Sequence, residues 1–491
     1  MQAFRPLVVA VTSVPQKRSW WRSLALCVLL SLSIALYLLL IHVYPQGNDI
    51  TPFLSVWMIS FLPYIAACVM ILVTKPVMGG WRWAELALIF AGALAMRLLL
   101  LPLPPLLSHD SWRYVWDARV TLHGYSPYVY APADPLLSPL RDNLIFVQSG
   151  FHNVPTIYPP GAQAIFVLSY LLAPSNLFFL KGIFVGFDMV TCGALALLLM
   201  RKGLDPRRVV IYAWCPLPVV EFAVQGHLDA ATITFTVLAV LSATSNRRGA
   251  RALTGFLIGM AALTKIYPIL LLVAVVRRRE WTLKQPQLLL TCVASIIVGY
   301  LPFYVLGHGQ VLGFFFTYAG ENATNSGVVP QVIYWLWKHF PLGLPFATFI
   351  FLERSVELVV LGTVALVVLV LRLRERISME AAALALTGTA LAISPHIFPW
   401  YTTALLPWIA TLAGRLWIGK RPSGKGLAIA MAWYFTCTVL VGYFFGDSPD
   451  WHIYYALVYG VVLLGLAVAI VAQVRAVRAT SLNLQAPSRD V

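Results

Sequence analysis

The sequence predicts an all-α, polytopic membrane protein, and three observations predict it: the composition, the length of the apolar runs, and the spacing of the basic residues. Of 491 residues 60% are hydrophobic and 11% charged, and the mean hydropathy is +0.80, far outside the range of water-soluble domains. A soluble fold has too little interior for that much apolar surface. Lipid accepts it, provided the backbone is satisfied inside helices. The predominantly apolar runs Leu24–Tyr44, Pro52–Val73, Ala84–Leu101 and Leu288–Pro302 approach the length that a hydrocarbon core of about 30 Å requires. The short alternating segments of a β-barrel are absent from the sequence.

The net charge of +16 raises the question of a polyanion partner, and its distribution answers it. Basic residues gather in short connectors: Lys17/Arg18/Arg22, Lys75/Arg82, Arg201/Lys202/Arg207/Arg208, Arg247/Arg248/Arg251, Arg277–Arg279, Arg372/Arg374/Arg376 and Lys420/Arg421/Lys425, with Arg475, Arg478 and Arg489 near the C-terminus. The stretches between them leave one side and return to it, which is the positive-inside pattern. The charge therefore records topology, and no nucleic-acid partner is expected. Both termini are placed in the cytoplasm, with roughly 12–14 crossings of an inner (plasma) membrane. Leu24–Tyr44 is read as an uncleaved first span, too long for a signal-peptide core.

Residues 1–83 then form a cytoplasmic segment and two spans. After the third span comes Pro102–Pro160, the longest non-membrane stretch, which the topology puts outside the cytoplasm. Within it Ser108–His123 has helix character. Ser108 can cap, and Trp112, Trp116 and Val120 recur at helical spacing, as in an amphipathic helix lying on the membrane surface. Gly124-Tyr-Ser-Pro127 ends it by turn chemistry. Ala162–Ala173 is too short to span and is read as a re-entrant or surface segment. Ala252–Thr264 and Ile266–Val276 are also short, as half-helices meeting at a break would be, and broken helices are tolerated in lipid only where they line a buried or wet cavity. A second outer loop, 307–344, is rich in Gly and aromatics (Phe314, Phe315, Phe316, Tyr318, Tyr334, Trp335, Trp337). It is either an interfacial belt or a wall for a ligand. Residues 307–479 make up the C-terminal membrane region and 480–491 a disordered tail. The six cysteines (Cys27, Cys68, Cys192, Cys215, Cys292, Cys437) stand singly in apolar segments, without metal-type spacing. Asn322-Ala-Thr324 has the form of a glycosylation acceptor, relevant only in a eukaryote.

Asp110 is the strongest single candidate for chemistry. It stands just beyond a membrane span, where a carboxylate meets a lipid-borne substrate at headgroup depth; the structural alternative is a cap or an ion pair with Arg113. Asp117, on the same helix face, is the reserve. Arg113 and Arg119 either bind substrate or snorkel to the interface. Three ionisable sets lie in or beside apolar segments: Gln225-Gly-His227-Leu-Asp229, Thr264-Lys265-Ile-Tyr267-Pro268 and Ser394-Pro-His396-Ile-Phe-Pro399-Trp400-Tyr401. Charge in a membrane is expensive, so each is a functional candidate. Lys265 or Arg97 can neutralise a lipid phosphate, and Lys265 can alternatively pair with Asp229. His227 and His396 lack partners at metal-ligand spacing, and no metal or other cofactor is expected.

The run His109-Asp110-Ser-Trp-Arg113-Tyr114-Val-Trp116-Asp117-Ala-Arg119 resembles the GT-C superfamily of membrane glycosyltransferases. So do Gly124-Tyr-Ser-Pro127-Tyr128, Ala131-Pro132, Leu140-Arg141-Asp142 and Thr156-Ile-Tyr158-Pro159-Pro160. Within that superfamily the sequence is most similar to bacterial polyprenyl-phosphate-mannose-dependent mannosyltransferases (family 87-like). Glu221-Phe, Gly226-His227-Leu-Asp229-Ala230, Leu263-Thr264-Lys265-Ile-Tyr267-Pro268 and Pro399-Trp400-Tyr401 continue the agreement in order. The resemblance implies a GT-C fold, with the catalytic module at 84–306. It also implies an extracytoplasmic site and inverting, usually metal-independent transfer of a hexose, mannose by analogy, from polyprenyl phosphate to a lipid-linked or glycan acceptor. Asp110 then maps to the general base. The candidate substrate-binding residues are Arg97, Arg113, Tyr114, Asp117, Arg119, Tyr158, His227, Asp229, Lys265, Tyr267 and His396. Two positions depart from the pattern: His109 stands where a second acid is usual, and Leu228 where Asn is usual. A lipid-linked oligosaccharide transporter or flippase and a glycan polymerase are the competing readings.

The topology is testable in intact cells. With single cysteines introduced at Ser138 and Ser423, an impermeant thiol reagent is expected to label position 138 only; labelling confined to position 423 would invert the whole arrangement.

Overall fold

The computed structural model describes residues 20–45, 47–74, 80–278, 285–320, 326–340, 343, 345–418, 421–445 and 450–485. The basic residues Lys17, Arg18, Lys75, Arg279, Lys420 and Arg489 and the Asn322–Thr324 sequon lie outside them. The polytopic all-α expectation holds. Eight described helices are long and apolar enough to cross a membrane: Trp20–His42, Thr51–Val73, Arg82–Leu100, Leu177–Arg201, Pro286–Leu306, Thr348–Leu373, Gly424–Phe444 and Trp451–Ala476. Four shorter apolar helices, Pro160–Leu172, Asp229–Ala243, Ala250–Thr264 and Met379–Ala392, stand beside them. Among the described residues the one β pairing is a two-residue antiparallel ladder, Trp417↔Pro422 and Ile418↔Arg421. The last helix runs to Gln485, so the first residues assigned to the tail continue it.

The Leu177–Arg201 helix is central, 56% buried against its neighbours, whereas Thr348–Leu373 is 11% buried and presents apolar side chains outward. In low dielectric a charge must be paired, and the interior follows that rule. Arg97 pairs with Asp188, whose other oxygen accepts from Tyr212 Oη at 2.6 Å. Arg207 pairs with Glu85 and Asp205, and Lys202 reaches Glu380 at 2.8 Å.

The basic connectors meet at one end of the bundle. Arg201 donates to Leu241 O at 2.9 Å, Arg277 to Ala243 O, and Arg372 to Val276 O at 3.1 Å. The opposite end of the 25-residue Leu177–Arg201 helix, about 37 Å away at 1.5 Å per residue, meets the first loop, where Arg119 Nη2 donates to Ser175 Oγ at 3.0 Å.

The expected break falls at Lys265. The Ala250–Thr264 helix stops there, Lys265 is extended (φ −147°, ψ 145°), and the chain resumes as a 3-10 turn at Tyr267–Leu270 and a single turn at Leu271–Ala274. Gly255 and Gly259 sit one turn apart and let this helix press onto Gln285–Leu306. A Cβ at Gly255 would strike Leu288 O, and one at Gly259 would strike Ser295 Oγ and stand 2.9 Å from Cys292 O. That is the small-residue route to close helix contact.

The first-loop helix is Asp110–Leu122, with Ser108 Oγ accepting from Asp110 N at 3.1 Å. It is more enclosed than an amphipathic surface helix: every residue from Arg113 to Val120 is buried. The face that looked solvent-directed is polar because its charges find partners inside the protein.

Gly259→Leu should lower the thermal unfolding midpoint of the detergent-solubilised protein, since overpacking typically costs about 1–3 kcal/mol. Gly362→Leu, whose Cβ meets nothing within 4 Å, is the matched control. Equal midpoints for the two variants would show that the close contact contributes nothing.

Candidate active site

The chain leading into Asp110 is held by two buried polar side chains. Lys181 Nζ donates to Leu101 O at 2.7 Å and to Leu103 O, at the end of one spanning helix, and to Ala223 O at 3.2 Å and Val224 O at 3.4 Å, at the end of the eight-residue helix Pro216–Ala223. Gln225 Oε1 accepts from Leu106 N and Leu107 N, both at 2.9 Å. Gly226 turns with φ +73°, and a Cβ there would stand 2.8 Å from Lys181 Cγ and 3.2 Å from Ser111 Cβ. Only glycine permits both that backbone and that approach. The segment bearing Asp110 thus lies directly on the turn bearing His227 and Asp229.

Behind Asp110 lies a layered set of polar groups. The His227 ring is fully buried; its Nδ1 is 3.7 Å from Asp110 Oδ2 and its Nε2 is 3.3 Å from Glu221 Oε2. It stacks on Trp400 with centroids 3.7 Å apart. Glu221 Oε1 accepts from Tyr443 Oη at 3.4 Å. Beside Asp110, the Asp229 carboxylate accepts from Lys265 Nζ at 2.6 Å, and that ammonium sits 3.5 Å from the centroid of the Tyr401 ring, a cation–π contact.

These groups face a cavity of about 480 Å³. Asp110, Arg113, Tyr114, Tyr158, Asp229, Lys265 and His396 all line it, with Phe314, Tyr318, Trp400 and Tyr401. A second, largely apolar cavity of about 190 Å³ adjoins it through Tyr158, Lys265, Tyr318 and Tyr401, and Tyr267 lines this one. The aromatic outer loop therefore divides: Phe314 and Tyr318 are wall, while Tyr334 and Trp335 are exposed. Tyr318 Oη and Tyr401 Oη lie 3.1 Å apart and close one side.

Four expected residues stand away from both cavities. Arg97 is locked to Asp188 inside the bundle. Arg119 ties the first loop together through Leu140 O, Asp142 and Ser175, so it does not snorkel. His227 is one layer behind the surface. Asp117 is buried, and its two oxygens accept from Arg113 Nε at 2.7 Å and Gln163 Nε2 at 3.0 Å. Arg113 also donates from Nη1 to Phe151 O and from Nη2 to Val154 O, so Arg113, Asp117 and Gln163 bracket the 151–156 segment over the cavity. Asp110, with a side chain 20% exposed, is the carboxylate of this helix that a substrate can reach. Burial raises its pKa to about 6, against the opposing pull of Lys265, Tyr158 and Ser108. Among the described residues no three His, Cys, Asp or Glu side chains gather as a metal site.

Sequence reasoning missed Lys181 and Gln163, and saw Glu221 only as part of a motif. A lone lysine in an otherwise apolar run is a signal in itself. Gln163 carries no such mark.

Residues 156–395 match the family model of glycosyltransferase family 87, just under half of the chain. The stretch takes in His227, Asp229 and Lys265 and begins after Asp110. The chain is thus family-87-like. None of the curated proteins matches it. Two solved structures of ArnT from Cupriavidus metallidurans are similar to it. The one bound to undecaprenyl phosphate is 17% identical with a TM-score of 0.41, and the apo one 16% identical with a TM-score of 0.43; each comparison covers 80% of this chain and 75% of that one.

Proposed function

We propose that this family-87-like membrane protein transfers a hexose, mannose by the family analogy, from polyprenyl phosphate to a lipid-linked or glycan acceptor on the extracytoplasmic side. The observation that carries the reading is one cavity presenting a reachable carboxylate, Asp110, and an ammonium, Lys265, at a helix break. The acceptor hydroxyl attacks the anomeric carbon while Asp110 takes its proton. The new glycosidic bond forms as the bond from the anomeric carbon to the phosphate oxygen breaks, and the polyprenyl phosphate leaves with the electron pair. A single displacement inverts the anomeric centre. Phosphate is already a good leaving group, so the site needs a base and cationic help with the developing charge more than an acid. Lys265, oriented by Asp229 and Tyr401, supplies that help. Tyr114 and Tyr158 line the cavity beside Asp110, where phenols can meet sugar hydroxyls. His227 and Glu221 form a buried polar layer behind the base.

The product assay decides between readings. Membranes carrying the protein should transfer label from radiolabelled polyprenyl-phosphate-mannose; transfer only from a pyrophosphate-linked donor would make it a polymerase or ligase, and no transfer with movement of intact lipid-linked sugar a flippase.

Asp110→Asn should retain donor binding and lose about 10²–10⁴-fold in rate. A base must be ionised to act, so wild-type kcat/KM should rise with pH through about 6 and level off above, whereas the residual Asn activity lacks that limb. Asp117→Asn should chiefly disturb the 151–156 segment. A well-folded Asp110→Asn with near-normal turnover beside an inactive Asp117→Asn would move the base one heptad along.

Lys265→Met should weaken donor binding in a protein that stays monodisperse. Unchanged donor affinity would leave Lys265 a purely structural partner of Asp229.

A further inference from the structure

At the basic end of the bundle, opposite the candidate active site, lies a cavity of about 680 Å³ that the reaction does not use. Two spanning helices wall it. Thr51–Val73 supplies Val69, Leu72 and Val73, and Gly424–Phe444 supplies Ile429 and Trp433. Arg208 and Arg415 also line it.

Among the described residues these two guanidiniums make no ion pair, unlike Arg97, Arg207 and Lys265. The reason is visible at Arg208. Its neighbour Arg207 takes both oxygens of Asp205 and also Glu85, so the local carboxylates are consumed. Arg415 is exposed, but its backbone is fixed. Ser423 N donates to Leu416 O at 2.7 Å, and Gly426 lies so close that a Cβ would strike Arg415 O.

We infer that this cavity binds the phosphodiester headgroup of an anionic membrane phospholipid, with Arg208 and Arg415 on the phosphate. The inference stands apart from the proposed reaction. Placement selects a lipid over a soluble phosphate. The cavity opens between the ends of two spanning helices, where headgroups lie, and its wall residues Val69, Val73 and Leu416 are exposed apolar surface on which acyl chains can lie. Trp417 and Trp433 frame it, the residue type that settles at headgroup depth. Basic pockets between membrane helices recognise lipid phosphate in this way.

The test uses the full chain, delipidated in detergent, titrated with dioleoylphosphatidylglycerol or dioleoylphosphatidylcholine and read by native mass spectrometry. Wild type should bind the anionic lipid preferentially. Arg208→Gln with Arg415→Gln should weaken that binding by about 30-fold, roughly fivefold for each guanidinium, while Arg376→Gln, an exposed cation outside the cavity, leaves it unchanged. The single Arg415→Gln variant alters an exposed side chain and keeps the test open if Arg208→Gln does not fold. Equal binding of the two lipids, or wild-type behaviour of the double variant, overturns the proposal. Displacement of the bound lipid by excess inorganic phosphate also overturns it, in favour of a soluble phosphate ligand.

Discussion

Four carbonyl oxygens, two at the end of a spanning helix and two at the end of the short buried helix Pro216–Ala223, converge on the Nζ of Lys181, and the geometry of the candidate site depends on that convergence. A helix that stops at membrane depth leaves acceptors with no water to satisfy them. An ammonium inserted between two such ends removes that penalty and joins the helices. The chain can then leave the first of them, run past Gln225, and begin the Asp110–Leu122 helix against the Gly226 turn. The buried lysine, Gln225 and the Gly226 turn together bring the carboxylate at position 110 and the imidazole at 227 to one site.

Much of this could be read in the sequence, and the parts that could not share a cause. Spans, the enclosed break at Lys265 and the convergence of the first loop with residues 227–229, 265 and 396–401 followed from hydropathy, from the expense of charge in lipid, and from the family resemblance. What the sequence could not show is which polar groups use each other up. Asp110 and Asp117 are equivalent in spacing and chemistry. They differ because Asp117 has Arg113 and Gln163 on its two oxygens, and Gln163 comes from a helix more than forty positions away. Arg97 and Arg119 stand away from the cavities for the same reason: their partners, Asp188 and Ser175, are brought to them by tertiary packing.

The layer behind Asp110 has a further bearing on its behaviour. An imidazole held flat against Trp400, between two carboxylates, can neither rotate freely nor be hydrated. It lies 3.7 Å from the reachable carboxylate, and burial rather than a direct cation contact is the dominant influence on that carboxylate's proton affinity. A base in such a setting is stronger than an exposed aspartate, which suits proton removal from an alcohol.

The cavity walls come from separate parts of the chain. Asp110 and its backing residues sit on helices knit together by buried polar contacts, whereas Phe314 and Tyr318 come from the outer loop, where Phe314 N donates to Thr156 O at 3.3 Å and Tyr318 stacks on His396 and meets Tyr401 Oη. Under the proposed reaction, descendants of such a protein can change sugar or acceptor by rewriting the 307–344 segment while the proton chemistry stays as it is. Selectivity and reactivity become separately inheritable traits.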